Sequence, residues 1–129
     1  MTLYVLLLLV GFQLKHFVAD YLLQANWMVA QKGDFSKLGG YAHAGTHVVG
    51  TVIVLIIAQV AIPVIVLLAA GEFAVHYMID YTKIAYSHGI SSKDDPHRFW
   101  AMHGFDQLLH HLTYAGMTFL VMLSKGILA

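Results

Sequence analysis

The fold is decided by residues 41–86, which read YAHAGTHVVGTVIVLIIAQVAIPVIVLLAAGEFAVHYMIDYTKIAY. As a single helix this apolar stretch would be roughly 70 Å long at 1.5 Å per residue, more than twice the hydrocarbon thickness of a bilayer. It must therefore fold back on itself. Proline is tolerated in the first turn of a helix but breaks a helix interior, so Pro63 marks the reversal. The stretch predicts two helices, at about 41–62 and 63–86.

Two further apolar stretches flank this pair. Residues 3–28 and 99–123 are each long enough to span a hydrocarbon core of about 30 Å, and the polar loops QKGDFSKLGG (31–40) and SHGISSKDDPHR (87–98) separate them from the pair. The chain is 59% hydrophobic and 11% charged, whereas soluble domains average about 25% charged residues. Because the connections are short, we expect an all-α membrane protein, a four-transmembrane-helix up-down-up-down bundle forming a single domain over residues 1–129.

Charge and cysteine content exclude several classes of function. Seven Lys and Arg balance seven Asp and Glu without a basic block, which argues against a nucleic-acid partner. With no Cys in the chain, disulfide and thiolate chemistry are excluded. The expected partners are the lipid bilayer, a lipid substrate and further copies of the chain.

The loops predict how the protein is oriented. One side of the bundle carries Lys32, Lys37, Lys93 and Arg98, and the opposite side carries only Lys125. By the positive-inside rule the first side is cytoplasmic, so in a bacterial inner membrane both termini lie outside. In the second loop, His88 is expected to be solvated.

Ionisable and amide side chains gather on that cytoplasmic side in all four predicted helices. Within each helix they are three or four residues apart, which places them on one stripe. A charged group near the middle of a bilayer costs at least about 2.5 kcal/mol, so such groups mark function by default. The stripes consist of His16, Asp20 and Gln24; His43 and His47; Glu72, His76, Asp80 and Lys83; and His103, Asp106, Gln107 and His110.

Part of this pattern is repeated. HFVADY at 16–21 recurs as HYMIDY at 76–81, and the same offset places His43 on His103. We therefore predict a duplicated helical hairpin, with repeats of about 1–62 and 63–129 related by a pseudo-two-fold axis along the membrane normal. The two H-x-x-x-D stripes would then face each other.

The residue types in the stripes indicate a metal site. Neutral imidazole and carboxylate groups at i and i+4 are ligands that a helix offers to zinc, iron or manganese, and zinc is the leading expectation. Gln24, Glu72, His103 and Gln107 are expected to support the ligands. An interhelical or proton-conducting network and a haem held by facing histidines stay open as alternatives. The candidate ligands are His16, Asp20, His43, His47, His76, Asp80, Asp106 and His110.

The order of the motifs resembles a known family. H-x-x-x-D-x-x-x-Q, H-x-x-x-H, H-x-x-x-D-x-x-K and D-Q-x-x-H follow one another over nearly the whole chain, starting at His16, His43, His76 and Asp106. This order resembles the small bacterial and phage membrane proteins grouped as domain-of-unknown-function family 3307, a resemblance that implies no established activity. More loosely, the pattern is similar to membrane-bound metal-dependent hydrolases and to the seven-helix ceramidase-like hydrolases, which hold zinc with His and Asp near one membrane face.

The leading functional hypothesis is an intramembrane metal-dependent hydrolase. It would act on a lipid or amphiphilic ester, amide or phosphoester at the cytoplasmic interface, because a bound metal lowers the pKa of water towards about 7. Asp20 or Asp106 would act as general base, and Lys83 would stabilise the developing oxyanion. The alternatives are a metal-ion or proton transporter or channel, and a metal-stabilised partner-binding or regulatory membrane protein. The apolar far halves of the helices favour a cup that is open to one side.

Overall fold

The computed structural model describes residues 1–87 and 90–127, and all regular secondary structure in those residues is helical. The predicted all-α class is therefore confirmed. The expectation for His88 concerns a residue outside the described ranges. In chain order the elements are α1 (Thr2–Phe17), a π-helical segment (Val18–Leu22), α2 (Asn26–Gln31), α3 (Leu38–Ile57), α4 (Ile62–Ser87) and α5 (Pro96–Ser124).

Three helical segments are long and apolar enough to cross a membrane, namely Thr2–Leu22, Leu38–Ile57 and Ile62–Ser87. Large apolar side chains on them face outward, as a surface in contact with lipid requires; Ile57 is 77% exposed and Leu67 is 71% exposed. Helix α5 is 29 residues long but does not join this set, because His, Asp and Gln side chains dilute the apolar character of its first half. These three spans are consistent with an integral membrane protein.

The four long helices pack in a ring in the order α1, α3, α4, α5. Consecutive helices run antiparallel, as two contacts at one end show. The Tyr4 hydroxyl of α1 donates to the Ala58 carbonyl at 2.9 Å, and the Lys125 ammonium after α5 donates to the Gln59 carbonyl at 2.9 Å. We call this the turn end, because the α3–α4 turn lies there, and we call the opposite end, which holds the ionisable stripes, the polar end.

The reversal between α3 and α4 lies slightly earlier than predicted. Helix α3 ends at Ile57, and Gln59 in the turn has a φ of 55°, a left-handed conformation that stops the helix. Helix α4 begins at Ile62, so Pro63 lies in its first turn, as proline allows. The prediction of a fold-back at this proline holds to within a few residues.

The predicted first helix, which extended to Met28, is too long. Helical backbone stops after Leu22, and Ala25 is extended, with φ −82° and ψ 153°. The short helix α2 then packs against α3, where the Gln31 side chain accepts a hydrogen bond from the Gly39 amide at 2.9 Å. Apolar composition did not reveal this break because the residues on both sides of it are apolar.

An apolar core fills the turn end. Phe12, Leu55 and Val121 are each 0% exposed, and the rings of Phe12 and Tyr114 stack with their centroids 5.6 Å apart. Lipid is as apolar as this core, so close packing rather than the hydrophobic effect stabilises it. The core closes the turn end of the helix ring.

Candidate metal centre

Histidine and aspartate side chains from all four long helices and the π-helical segment meet inside the polar end. His43 and His47 are 0% exposed, while His76 and His110 are each 2% exposed. Histidine is seldom buried so completely among apolar helices, because its ring nitrogens need partners. The partners of these rings therefore define the site.

Asp20 is surrounded by histidines. Its Oδ1 lies 3.1 Å from Nε2 of His43 and 3.0 Å from Nε2 of His47, and its Oδ2 lies 3.2 Å from Nε2 of His16. Asp20 belongs to the π-helical segment Val18–Leu22. A π-helical turn shifts the register of every residue after it, and such turns are frequent at functional sites.

Asp80 is surrounded by histidines and one lysine. Its Oδ2 lies 3.4 Å from Nε2 of His43 and 3.5 Å from Nε2 of His76, and its Oδ1 lies 4.0 Å from Nε2 of His110. The Lys32 ammonium forms an ion pair with Oδ2 at 2.9 Å. The lysine therefore occupies one side of the carboxylate.

Two sets of these residues can each hold a metal ion. Within each set, one candidate ligand atom per residue lies within 4.8 Å of all the others. We call the set of Asp20, His43, His47 and His76 the Asp20 group, and the set of His76, Asp80 and His110 the Asp80 group. His76 belongs to both, so the two groups are adjacent.

The hydrogen bonds of the site fit a cation. Both ring nitrogens of His43 and of His76, together with Nε2 of His110, have no hydrogen-bond partner among residues 1–87 and 90–127. Several lie close to a carboxylate oxygen, but not in a direction that makes a hydrogen bond. A buried polar atom without a partner costs about 1–3 kcal/mol. Coordination to a divalent cation would give these nitrogens their partner.

The structure brings six of the eight predicted ligands into the two groups and leaves His16 and Asp106 outside. The ring of His16 lies 2.9 Å from the Tyr114 hydroxyl and 2.9 Å from Oε1 of Gln107, so both of its nitrogens are in use. Asp106 accepts a hydrogen bond from the Lys83 ammonium at 2.9 Å. These two residues flank the groups.

The residues predicted to support the ligands divide into two pairs. Gln24 donates to the Asp20 carbonyl at 3.2 Å, and Gln107 contacts both His16 and, at 3.5 Å, Oδ2 of Asp20. The structure therefore places both amides beside the Asp20 group.

The other two predicted supporting residues contact lysines instead. Nδ1 of His103 lies 3.2 Å from the Lys83 ammonium, and Glu72 forms an ion pair with Lys15. His103 and Glu72 therefore contact lysines and belong to neither the Asp20 group nor the Asp80 group.

Lys15, Lys32 and Tyr114 contact the site but were not among the predicted site residues. Lys15 is 8% exposed, and its ammonium lies 3.5 Å from Nδ1 of His47. The Tyr114 hydroxyl lies 3.4 Å from the same nitrogen. A lysine inside an apolar span predicts that a carboxylate elsewhere in the chain neutralises it. Which helix carries that carboxylate depends on how the helices pack, so the sequence alone does not identify it.

A cavity of about 360 Å³ at the polar end reaches the Asp80 group. Asp80, Lys32, Lys83 and Gln24 line it, together with residues of the connection between α4 and α5. Asp80 is the member of the two groups that lines this cavity. A molecule from the polar end can therefore approach the Asp80 group.

Comparison with known proteins identifies a family and nothing closer. No curated protein matches the chain, and no solved structure matches it. The looser likeness to metal-dependent hydrolases therefore gains no support from these comparisons. A family model described as "Protein of unknown function (DUF3307)" matches residues 5–127. Since this match spans nearly all of the sequence, the chain belongs to the DUF3307 family.

Proposed function

We propose that this protein is a metal-dependent hydrolase of the bacterial inner membrane, with four spans and with its polar end facing the cytoplasm. Its substrate is a lipid or another amphiphile with an ester, amide or phosphoester bond. The observation that carries the proposal is the set of buried, unpartnered nitrogens on His43, His76 and His110 around two carboxylates. Nitrogen and oxygen donors of this kind suit zinc first, and iron or manganese next.

The two groups differ in the way that structural and catalytic zinc sites differ. Structural sites use four protein ligands, whereas catalytic sites use three and leave a position for water. The Asp20 group offers four donors, and the Asp80 group offers three beside the polar-end cavity. We therefore assign water activation to the Asp80 group and a mainly structural role to the Asp20 group.

The neighbouring residues supply acid–base and electrostatic functions. A divalent cation supplies Lewis acidity and lowers the pKa of water. Asp106 is the proton acceptor in this scheme, since its Oδ1 has no hydrogen-bond partner within the described part of the chain and lies 3.8 Å from Nδ1 of His110. Lys83, whose side chain lines the cavity, donates to the developing oxyanion.

The apolar core favours hydrolysis over transport. A conducting path would have to pass the turn end, where Phe12, Leu55 and Val121 are 0% exposed. On the polar-end side of these residues, Lys15 and Glu72 form an ion pair with each other. A site that is open at one end and closed at the other suits a substrate that enters and leaves on the same side.

The deciding experiment is elemental analysis of protein purified in detergent without chelator. We expect about two divalent cations per chain, one for each group, which requires the two ring nitrogens of His76 to bind one ion each. The double variant His43→Ala/His76→Ala should lose both, and His97→Ala, which removes an exposed histidine near the same end, should lose neither. Finding no stoichiometric metal in the unmodified protein would end the proposal.

Turnover is the second test. Metal-loaded protein in lipid nanodiscs should hydrolyse at least one member of a panel of lipid esters, amides and phosphoesters, and removal of the metal should abolish this activity. A metal-loaded protein that is inactive on the whole panel would support the alternative of a metal-stabilised partner-binding or regulatory protein.

A further inference from the structure

A second cavity, of about 440 Å³, lies as a groove between α4 and α5. Its walls are mostly apolar, and the charged residues among them are Lys83 and Asp106, which form an ion pair at 2.9 Å. Thr82 of α4 and Ala101 of α5 are exposed and line it as well. The groove is therefore mainly an apolar surface on the outside of the helix ring, and its charged part is the Lys83–Asp106 ion pair.

This groove adjoins the polar-end cavity. Lys83 and Met102 line both of them, and Asp80 of the Asp80 group lines the polar-end cavity. One molecule can therefore place an apolar chain between α4 and α5 while its polar part lies beside the candidate metal ligands. An amphiphile has this shape.

The charges around the two cavities select the polar part of that amphiphile. Without metal, Lys32 is balanced by Asp80, and Lys83 is balanced by Asp106, each at 2.9 Å. A divalent cation at the Asp80 group adds two positive charges and competes with Lys32 for the carboxylate. The cavity then becomes net positive, so it attracts an anion.

We propose that the groove and the polar-end cavity together bind one anionic phospholipid. Its acyl chain lies between α4 and α5, and its phosphate lies beside Lys83 and the Asp80 group. This inference rests on the proposed function and names the substrate class of that site.

A second apolar groove provides an internal control. It lies between α1 and α3, has a volume of about 610 Å³, and includes Val49 in its wall. Lys15 also lines it, but Glu72 neutralises this lysine in an ion pair. None of the residues of the Asp20 or Asp80 group lines it. Ordinary bilayer lipid should therefore fill it without selection.

The test uses single cysteines, because the chain has none of its own. Thr82→Cys and Val49→Cys are labelled with a small fluorophore in metal-loaded protein, in phosphatidylcholine nanodiscs containing a small fraction of phosphatidylglycerol with brominated acyl chains. The label at position 82 should be quenched as if the brominated lipid were enriched about five-fold, the order expected when one lysine attracts a lipid with a net negative charge in preference to zwitterionic phosphatidylcholine. The label at position 49 should report the bulk fraction, as should both labels when brominated phosphatidylcholine is used.

Two variants separate the phosphate contact from the groove. Lys83→Gln should abolish the enrichment, whereas Lys93→Gln, an exposed lysine in the nearby loop, should preserve it. Ala101→Trp fills the groove while keeping both Lys83 and Asp106 in the chain, and it should also abolish the enrichment. If Lys83→Gln fails to fold, the result for Ala101→Trp still shows whether the groove is where the enriched lipid binds.

Metal content is measured on the same samples. Metal-loaded protein whose label at position 82 reports only the bulk fraction would overturn this inference and leave the proposed function standing. Protein without stoichiometric metal would overturn the proposed function itself. Enrichment that is unchanged after chelation would overturn the charge argument on which the choice of an anionic lipid rests.

Discussion

Asp20 and Asp80 occupy the same position of a repeated H-x-x-x-D-Y motif, yet their surroundings differ. Asp20 contacts histidines and Gln107, and no lysine forms an ion pair with it in the described ranges. Asp80 contacts histidines and Lys32, and it lines a cavity. The same motif therefore forms one group of four donors and one group of three donors whose aspartate lines the polar-end cavity.

The source of this difference is the connection after the first motif. Lys32 directly follows α2, and α2 exists because the helix that carries Asp20 breaks after Leu22. Helix α4, which carries Asp80, continues without a break to Ser87. The break after Leu22 and the short helix α2, rather than the motif itself, therefore determine which of the two aspartates lines the cavity.

The largest effect is expected from the residue that the two groups share. His76→Ala removes a ligand from both, so metal affinity and hydrolysis should fall by at least about 100-fold, the upper range seen for residues that merely support ligands. His97→Ala is the matched control. If His76→Ala retains one tightly bound ion, the two groups do not share this ligand, and His76 belongs to only one of them.

The next effect separates the two groups. Asp80→Asn should abolish turnover while leaving about one ion per chain, because the Asp20 group keeps all of its donors. Asp20→Asn should lose the more tightly bound ion and lower the thermal stability of the protein in detergent. Both are checked by elemental analysis and a thermal unfolding scan. The opposite pattern would assign water activation to the Asp20 group.

A smaller effect tests the competition for the Asp80 carboxylate. Lys32→Gln removes the ammonium that lies 2.9 Å from Asp80, so the affinity of the Asp80 group for zinc should rise by about five-fold, which corresponds to roughly 1 kcal/mol. Lys37→Gln, on the same loop but paired with Asp34, should leave it unchanged. The measurement is a competition titration with a zinc-sensitive dye. A loss of affinity in Lys32→Gln would show that the lysine positions the carboxylate instead.

The smallest effect is on stability. A Cβ at Gly40 would lie 2.8 Å from the ring of Tyr77, which stacks on Tyr41, so Gly40→Ala should destabilise the contact between α3 and α4 by about 1–3 kcal/mol. Gly45→Ala meets nothing within 4 Å and should be neutral or stabilise the protein by up to about 1 kcal/mol. Because Tyr77 follows His76, which both groups share, we expect Gly40→Ala to weaken zinc binding at both groups. Equal stability of the two variants in denaturant would contradict this packing.

Spacing along the chain predicted much of this arrangement. Side chains three or four residues apart share a helix face, so the stripe containing His43 and His47 follows from helical periodicity alone. The start of α5 was predicted less well, because the helix begins at Pro96, three residues before the predicted 99, and the Asp95 side chain caps it by accepting a hydrogen bond from the Arg98 amide at 3.0 Å. The stripe depends only on residues that are close in sequence.

The remaining features depend on contacts between helices. The π-helical turn at Asp20 leaves no signature in the composition, and the choice of Glu72 as the partner of Lys15 depends on which helices lie diagonally opposite each other in the ring, here α1 and α4. The exclusion of His16 from the metal-binding groups follows from Tyr114, which is 98 residues away in the chain. Helical periodicity cannot predict such distant partners.

The buried pair of Lys15 and Glu72 has a consequence for biogenesis. The two charges are on helices from opposite halves of the chain, so the first helix enters the bilayer well before its counter-charge has been synthesised. Each charge alone costs about 2.5–3.5 kcal/mol at the centre of a membrane. A chain that is truncated before Glu72, or in which α4 packs elsewhere, therefore keeps an unneutralised lysine in the bilayer, so the pair favours the completed bundle over partial assemblies.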